Sequence, residues 1–122
     1  VYKRQYVNRM QITLFEKIIN KEIPADILYE DDLSMVIKDI NPQAPTHLLI
    51  IPKKVIPKLS DAIEEDKQLL GHLMLVAGKM AEKLDLDDTF RLVVNNGAKA
   101  GQSVFHLHLH LLSGRSLNWP PG

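Results

Sequence analysis

Three of the chain's five histidines stand at alternate positions near its C-terminal end, in Val104-Phe105-His106-Leu107-His108-Leu109-His110-Leu111-Leu112. An imidazole can attack phosphorus, shuttle a proton, donate to a phosphoryl oxygen or ligate a metal, because its ordinary pKa is about 6.5. Apolar residues alternate with the histidines, the mark of a half-buried strand. In a strand, His106, His108 and His110 share one face, with neighbouring rings about 6.6–6.8 Å apart by backbone rise. Phe105, Leu107, Leu109 and Leu111 then point into a core. Such a row allows a division of labour around one phosphorus atom: the middle ring attacks, and its flanks donate hydrogen bonds or protonate the leaving group. Two other readings stay open at this level. The row could be the polar face of an exposed strand. It could also hold a catalytic zinc, since three neutral imidazoles suffice for one, although there is no cysteine and no carboxylate close in sequence to the triple.

The elements that must position these rings fit into one domain. The chain has 122 residues, 45% of them hydrophobic, enough for a single modest core. Its 15 basic and 15 acidic residues balance, which argues against electrostatic capture of nucleic acid or an anionic membrane. Absence of cysteine removes disulfide frameworks and thiolate zinc sites and fits a reducing, cytoplasmic setting. No apolar run approaches a spanning helix or a signal-peptide core. Residues 1–12 read as a flexible arm, with Lys3, Arg4 and Arg9 unbalanced by acid. The start at Val1 reads as a trimmed or extended end, with Met10 as a possible natural start and an organellar targeting remnant as another option. Residues 13–122 are the domain.

Thr13 to Lys21 is predicted to be a short amphipathic helix, capped by Thr13 with Glu16 three residues on, and ended by Pro24. Two apolar runs, Ile27 to Glu30 and Met35 to Ile40, flank the acidic turn at Asp31 and read as a hairpin. Pro42 and Pro45 make a connector. Thr46 to Ile51 is apolar on both faces, as a doubly covered central strand would be. His47 opens it, and a lone histidine there suits a satisfied structural site. Lys53 and Lys54 read as a solvated turn. Leu59 to Leu84 is predicted as the long helix, with Ser60 as a candidate cap and Leu69, Leu73, Ala77, Met80 and Leu84 in an apolar stripe. That stripe is wide enough to meet the sheet on one side and a second subunit on another. His72 lies beside it and is read as non-catalytic, and Gly71 and Gly78 suggest close packing. Phe90 to Asn95 is the next strand. The loop Asn96 to Ser103 contains glycines but lacks the Gly-Lys-Ser/Thr ending of a P-loop.

His106-Leu107-His108-Leu109-His110-Leu111-Leu112 resembles the signature of the histidine triad family, His-φ-His-φ-His-φ-φ with φ apolar. Further segments resemble its nucleotide-binding branch: Lys21 to Ala25, Asp39 to His47, Ile51 to Lys54, Asn95-Asn96-Gly97, Gly101-Gln102-Ser103 and Gly114 to Gly122. The likeness runs from about Thr13 to Gly122. Val55 stands where such proteins often have histidine. The resemblance implies an α+β fold with a five-stranded, mainly antiparallel sheet, a short N-terminal helix and one long helix, the sheet extended across a homodimer. It implies hydrolysis of purine nucleoside 5′-phosphoramidates through a covalent nucleotidyl-His108, without metal or cofactor. His110 would protonate the amine, His106 would stabilise phosphoryl charge, and His47 would support the triad. Phe15, Ile18, Ile23, Ile37 and Ile40 would form the base pocket and Asp39 would accept from the ribose hydroxyls. Asn95, Gly101, Gln102 and Ser103 would meet sugar or phosphate oxygens, and Trp119 would reach the partner's site. A nucleotide-binding scaffold with little turnover is the non-enzymatic alternative.

Overall fold

The computed structural model describes residues 12–122, so the predicted arm, Ile12 excepted, lies outside the described residues. In chain order the elements are α1 (Leu14–Ile19), β1 (Ile27–Glu30), β2 (Ser34–Lys38), β3 (Thr46–Pro52), α2 (Lys67–Lys83), β4 (Arg91–Val93) and β5 (Leu109–Ser113). The strands form one sheet in the order β1-β2-β3-β5-β4, and every neighbouring pair is antiparallel. This is the predicted five-stranded α+β architecture.

Side-chain alternation divides the sheet into two faces. Val36, Leu48, Ile50, Leu109 and Leu111 pack with Leu73, Val76, Ala77 and Met80 of α2. Met35, Ile37, Leu49 and Ile51 pack with Phe15 and Ile18 of α1. The register keeps the two sets apart, pairing Val36 with Ile50 but Met35 with Ile51 and Ile37 with Leu49. β3 is central, and everything from His47 to Pro52 is buried.

A helix as short as α1 does not hold itself together in water. Its start is fixed by a complete capping box. Thr13 Oγ1 accepts from the Glu16 N–H at 3.1 Å, and Glu16 Oε1 accepts from the Thr13 N–H at 2.9 Å. The rest comes from burying Phe15 and Ile18. Leu14 stays about half exposed.

The long helix is shorter than predicted. Two 3-10 turns, Leu59–Asp61 and Glu64–Asp66, precede α2, and the chain is extended between them at Ala62 and Ile63. Buried Asp66 stands at the N-cap position but its side chain makes no capping bond to α2; its Oδ2 accepts from the Ile63 N–H at 2.9 Å while Oδ1 accepts from Lys54 at 2.6 Å. Ser60 does not cap; its N–H donates to Asn96 Oδ1 at 2.8 Å. Lys53 also departs from a solvated turn, pairing with Glu30 at 2.8 Å. Gly71 and Gly78 are not close-packing positions, since a Cβ at either would meet nothing within 4 Å. The face of α2 bearing Met74 and Leu75 is exposed. His72 is tied to the hairpin, its Nε2 lying 2.7 Å from Asp31 Oδ2. Among the described residues no helix is long and apolar enough to cross a membrane.

Candidate active site

A cavity of about 620 Å³ opens on the α1 side of the sheet, a size suited to a small ligand. Its apolar wall comes from Phe15 and Ile18 of α1, Ile23 in the following loop, Ile37 of β2 and Leu49 of β3. Asp39, Asn95, Gly101, Ser103, His108 and His110 bring polar groups to it. Leu14, Pro24, Ala25, Asp26, Lys38 and Val104 complete the lining, none of them anticipated individually. Ile40 belongs to the cavity only at its mouth, where it is 99% exposed.

The triad does not form one row. β5 begins at Leu109, and residues 104–108 are irregular, tied to the core by the Leu107 N–H donating to the Ile56 carbonyl at 2.6 Å. Leu107, Leu109 and Leu111 enter the core as predicted, but Phe105 is 42% exposed. His108 and His110 line the cavity with centroids 5.0 Å apart, and the edge-on Phe15 ring lies 4.9 Å from His108. His106 sits behind them, fully buried and off the cavity lining. Its Nε2 is 2.7 Å from the Pro52 carbonyl and its Nδ1 2.9 Å from Thr13 Oγ1. Both nitrogens therefore have protein partners, and the predicted contact of His106 with a phosphoryl group is corrected to a supporting position.

Partner chemistry fixes where the protons are. A carbonyl can only accept, so His106 donates from Nε2 and leaves Nδ1 to accept from the Thr13 hydroxyl. His108 Nδ1 lies 2.8 Å from the His106 carbonyl and must donate to it, which leaves the neutral ring with a bare Nε2. His47 Nδ1 accepts from the Gln43 N–H at 3.0 Å, so its proton is on Nε2, 2.9 Å from His110 Nδ1. His110 Nδ1 accepts that proton, and the neutral His110 ring carries its own on Nε2. Two adjacent cavity imidazoles thus hold opposite tautomers, one with a free lone pair at Nε2 and one with an N–H there.

Both rings favour the neutral form. Burial lowers the His108 pKa, against smaller opposing effects of its bond to the His106 carbonyl and of the Asp39 charge. Burial also lowers His110, to about 4, helped by His108 and His47 and opposed by Asp39. Asp39 stands close behind, its Oδ2 3.4 Å from His47 Nε2 and 4.0 Å from His110 Nδ1. Asp39, His47 and His110 each offer one ligand atom, all within 4.8 Å of one another, so this trio could hold a metal ion. The carboxylate that the triple lacks in sequence is thus supplied by the end of β2.

Three further predicted residues lie elsewhere. His47 is not on the cavity lining; it backs His110. Gln102 is buried and serves its own loop, donating from Nε2 to the Pro57 and Val104 carbonyls at 2.7 and 3.0 Å and accepting from the Gly97 N–H at 2.8 Å. That corrects its predicted contact with a ligand. Trp119 is 81% exposed and off the cavity of its own chain. Thr13 was foreseen as a cap but not as a partner of the triad, because nothing local in sequence links positions 93 residues apart.

The HIT domain family model matches residues 20–117. A HIT-like protein of Synechocystis sp. is 62% identical over 110 residues, covering 90% of this chain and 96% of that protein. The 14 kDa zinc-binding protein of Zea mays is 50% identical over 112 residues, covering 90% and 88%. The crystal structure of a HIT family hydrolase from Legionella pneumophila superposes with a TM-score of 0.88 at 47% identity, covering 91% of this chain and all of that one. A match this long, running through both the cavity and the paired histidines, places the chain in the HIT domain family.

Proposed function

We propose that this HIT protein hydrolyses the P–N bond of purine nucleoside 5′-phosphoramidates such as adenosine phosphoramidate, and the P–O bond to the acyl group in aminoacyl-adenylate-like compounds, as the nucleotide-binding branch of its family would. The observation that carries the reading is the placement of His108 and His110 side by side on a largely apolar cavity, with His108 Nδ1 2.8 Å from the His106 carbonyl and His110 Nδ1 2.9 Å from His47 Nε2. The base would lie against Phe15, Ile18, Ile23 and Ile37. The ribose hydroxyls would donate to Asp39, an acceptor-only group with lone pairs to spare. Asn95, Gly101 and Ser103 would meet sugar or phosphoryl oxygens.

In the first half-reaction the His108 Nε2 lone pair attacks the α-phosphorus. The P–N bond breaks, and the nitrogen leaves with its electron pair and the Nε2 proton of a His110 that has taken up a second proton from solvent with the anionic substrate bound, which leaves that ring neutral. In the second, water attacks the nucleotidyl-His108 and breaks its bond to the ring, the water's proton passes to the vacated His110 Nε2, and release of the solvent-derived proton with product restores both starting tautomers. No metal or cofactor is required. His47 acts through His110 by holding its Nδ1.

A homodimer is part of the proposal. β4 is an outer strand of the sheet, with an open edge available for pairing, and Met74 and Leu75 form an exposed apolar face on α2. Trp119, so exposed in one chain, would lie near the partner's site.

The Asp39–His47–His110 trio supports a second reading, a zinc-dependent hydrolase, and the name of the maize relative, a zinc-binding protein, agrees with it. The two separate cleanly. His108→Ala should lower phosphoramidate turnover by at least about 10³-fold and abolish the modified histidine seen by mass spectrometry. Wild-type turnover should persist after chelator dialysis. Turnover surviving in His108→Ala, or lost to chelator and restored by zinc, would refute the covalent route. Purine nucleotide binding with negligible turnover would favour the scaffold reading.

A further inference from the structure

We infer that Thr13 is a positioning residue, joining the helix that walls the cavity to the histidine that would attack. The inference rests on the reading of His108 given above. Its basis is one continuous chain of hydrogen bonds. The Glu16 N–H donates to Thr13 Oγ1 at 3.1 Å. The Thr13 hydroxyl donates to His106 Nδ1 at 2.9 Å. His106 Nε2–H donates to the Pro52 carbonyl at 2.7 Å, and the His106 carbonyl accepts His108 Nδ1–H at 2.8 Å.

One hydroxyl thus does two things that the residue type allows together: it accepts from the helix and donates to the ring. The His106 ring is fully buried, so without that donor its Nδ1 keeps a lone pair that water does not reach. The ring must then tilt, change tautomer or take a proton. Each response disturbs the segment whose carbonyl orients His108. The helix is coupled in the same way. Phe15, two residues after Thr13, packs edge-on against both His106 and His108, with centroids 5.8 and 4.9 Å away. A shift of the Thr13 cap therefore moves the cavity's apolar wall and the reactive imidazole together.

Capping and positioning predict different results for four variants. Thr13→Val keeps the shape and loses both bonds. Thr13→Ser keeps both. Thr13→Asp keeps a good cap but puts an acceptor where His106 needs a donor. Glu16→Ala breaks the reciprocal half of the cap and leaves the Thr13 hydroxyl in place. Imidazole nitrogen NMR on the unliganded proteins reads the tautomers directly, and steady-state kinetics on adenosine phosphoramidate reads kcat and KM.

The wild type should show His106 protonated at Nε2 and bare at Nδ1. Thr13→Val should shift the His106 and His108 signals and lower kcat by about 10- to 100-fold, the scale of a small misplacement of reacting groups. KM should change by less than about threefold, against that fall in kcat. Thr13→Asp should shift His106 towards the imidazolium form and change the pH profile of kcat. Thr13→Ser should restore both readouts. Glu16→Ala should lower the melting temperature while kcat stays within about threefold. Unchanged His106 and His108 signals in Thr13→Val, or kcat falling only in step with melting temperature in Thr13→Val and Glu16→Ala alike, would overturn the inference. A wild type that turns over no phosphoramidate overturns the proposed reaction instead, and the NMR comparison still decides whether Thr13 sets the ring.

Discussion

Lowering the pH from about 7.5 to about 5 sets up a competition for a proton on His110. In the folded protein this ring stays neutral down to about pH 4, because burial disfavours its charge and His108 and His47 oppose it more than Asp39 helps. In the unfolded chain it ionises at its ordinary 6.5. Between those values the unfolded state holds the extra proton, so stability is full above the upper value and declines as pH falls. Each pH unit in the window is worth about 1.4 kcal/mol, which gives about 2 kcal/mol lost at pH 5 and about 3 kcal/mol by pH 4. His110→Gln removes the titrating ring. The variant is expected to differ from wild type by a fixed amount at about pH 7.5, where no proton is at stake. At pH 5 that difference should shift by about 2 kcal/mol in favour of the variant. Urea unfolding followed by circular dichroism at both pH values supplies the numbers, and ring-proton NMR identifies His110 as the group. A difference constant to within about 0.5 kcal/mol between the two pH values would refute the account of a neutral, desolvated His110.

The kcat/KM profile for adenosine phosphoramidate should have its acid limb centred below the ordinary histidine value, because burial lowers the His108 pKa. An acid limb centred at or above the ordinary histidine value would contradict that. Gly114→Ala should destabilise the fold by about 1–3 kcal/mol in urea titrations, since Gly114 has φ +97° and its new Cβ would lie 2.8 Å from Cβ of the rigid Pro45 ring. Gly101→Ala, with a similar φ of +99° but its nearest neighbour at 3.6 Å, should lose less.

Local pattern carried much of the fold. The capping box at Thr13 and Glu16, the hairpin around Asp31 and the apolar run of β3 depend on neighbours in sequence, and all three stand in the structure. Period-two reasoning held where β5 is paired and failed before Leu109. Phe105 and His106 precede the ladder, so nothing forces their side chains to alternate with the strand. Leu59 reads as the start of the long helix because Ser60 offers a candidate cap there. The Asp66 carboxylate binds the Ile63 N–H and Lys54, and that contact with residue 54 delays the helix. The family resemblance implies a ligand contact for Gln102, yet its amide is consumed by three backbone groups of and around its own loop. The Asp39–His47–His110 trio joins three strands or strand ends and is invisible in sequence until the antiparallel order is known.

Between β3 and β5 the sheet carries the core on one side and the cavity-facing His110 on the other, with Leu48 opposite Leu111 and Leu49 opposite His110. Inserting or deleting one residue within either strand would turn this arrangement inside out, sending leucines into the cavity and imidazoles under α2. Length changes here are tolerable only in steps of two, so variation in this protein should gather in its connecting loops and leave the spacing of these two strands alone.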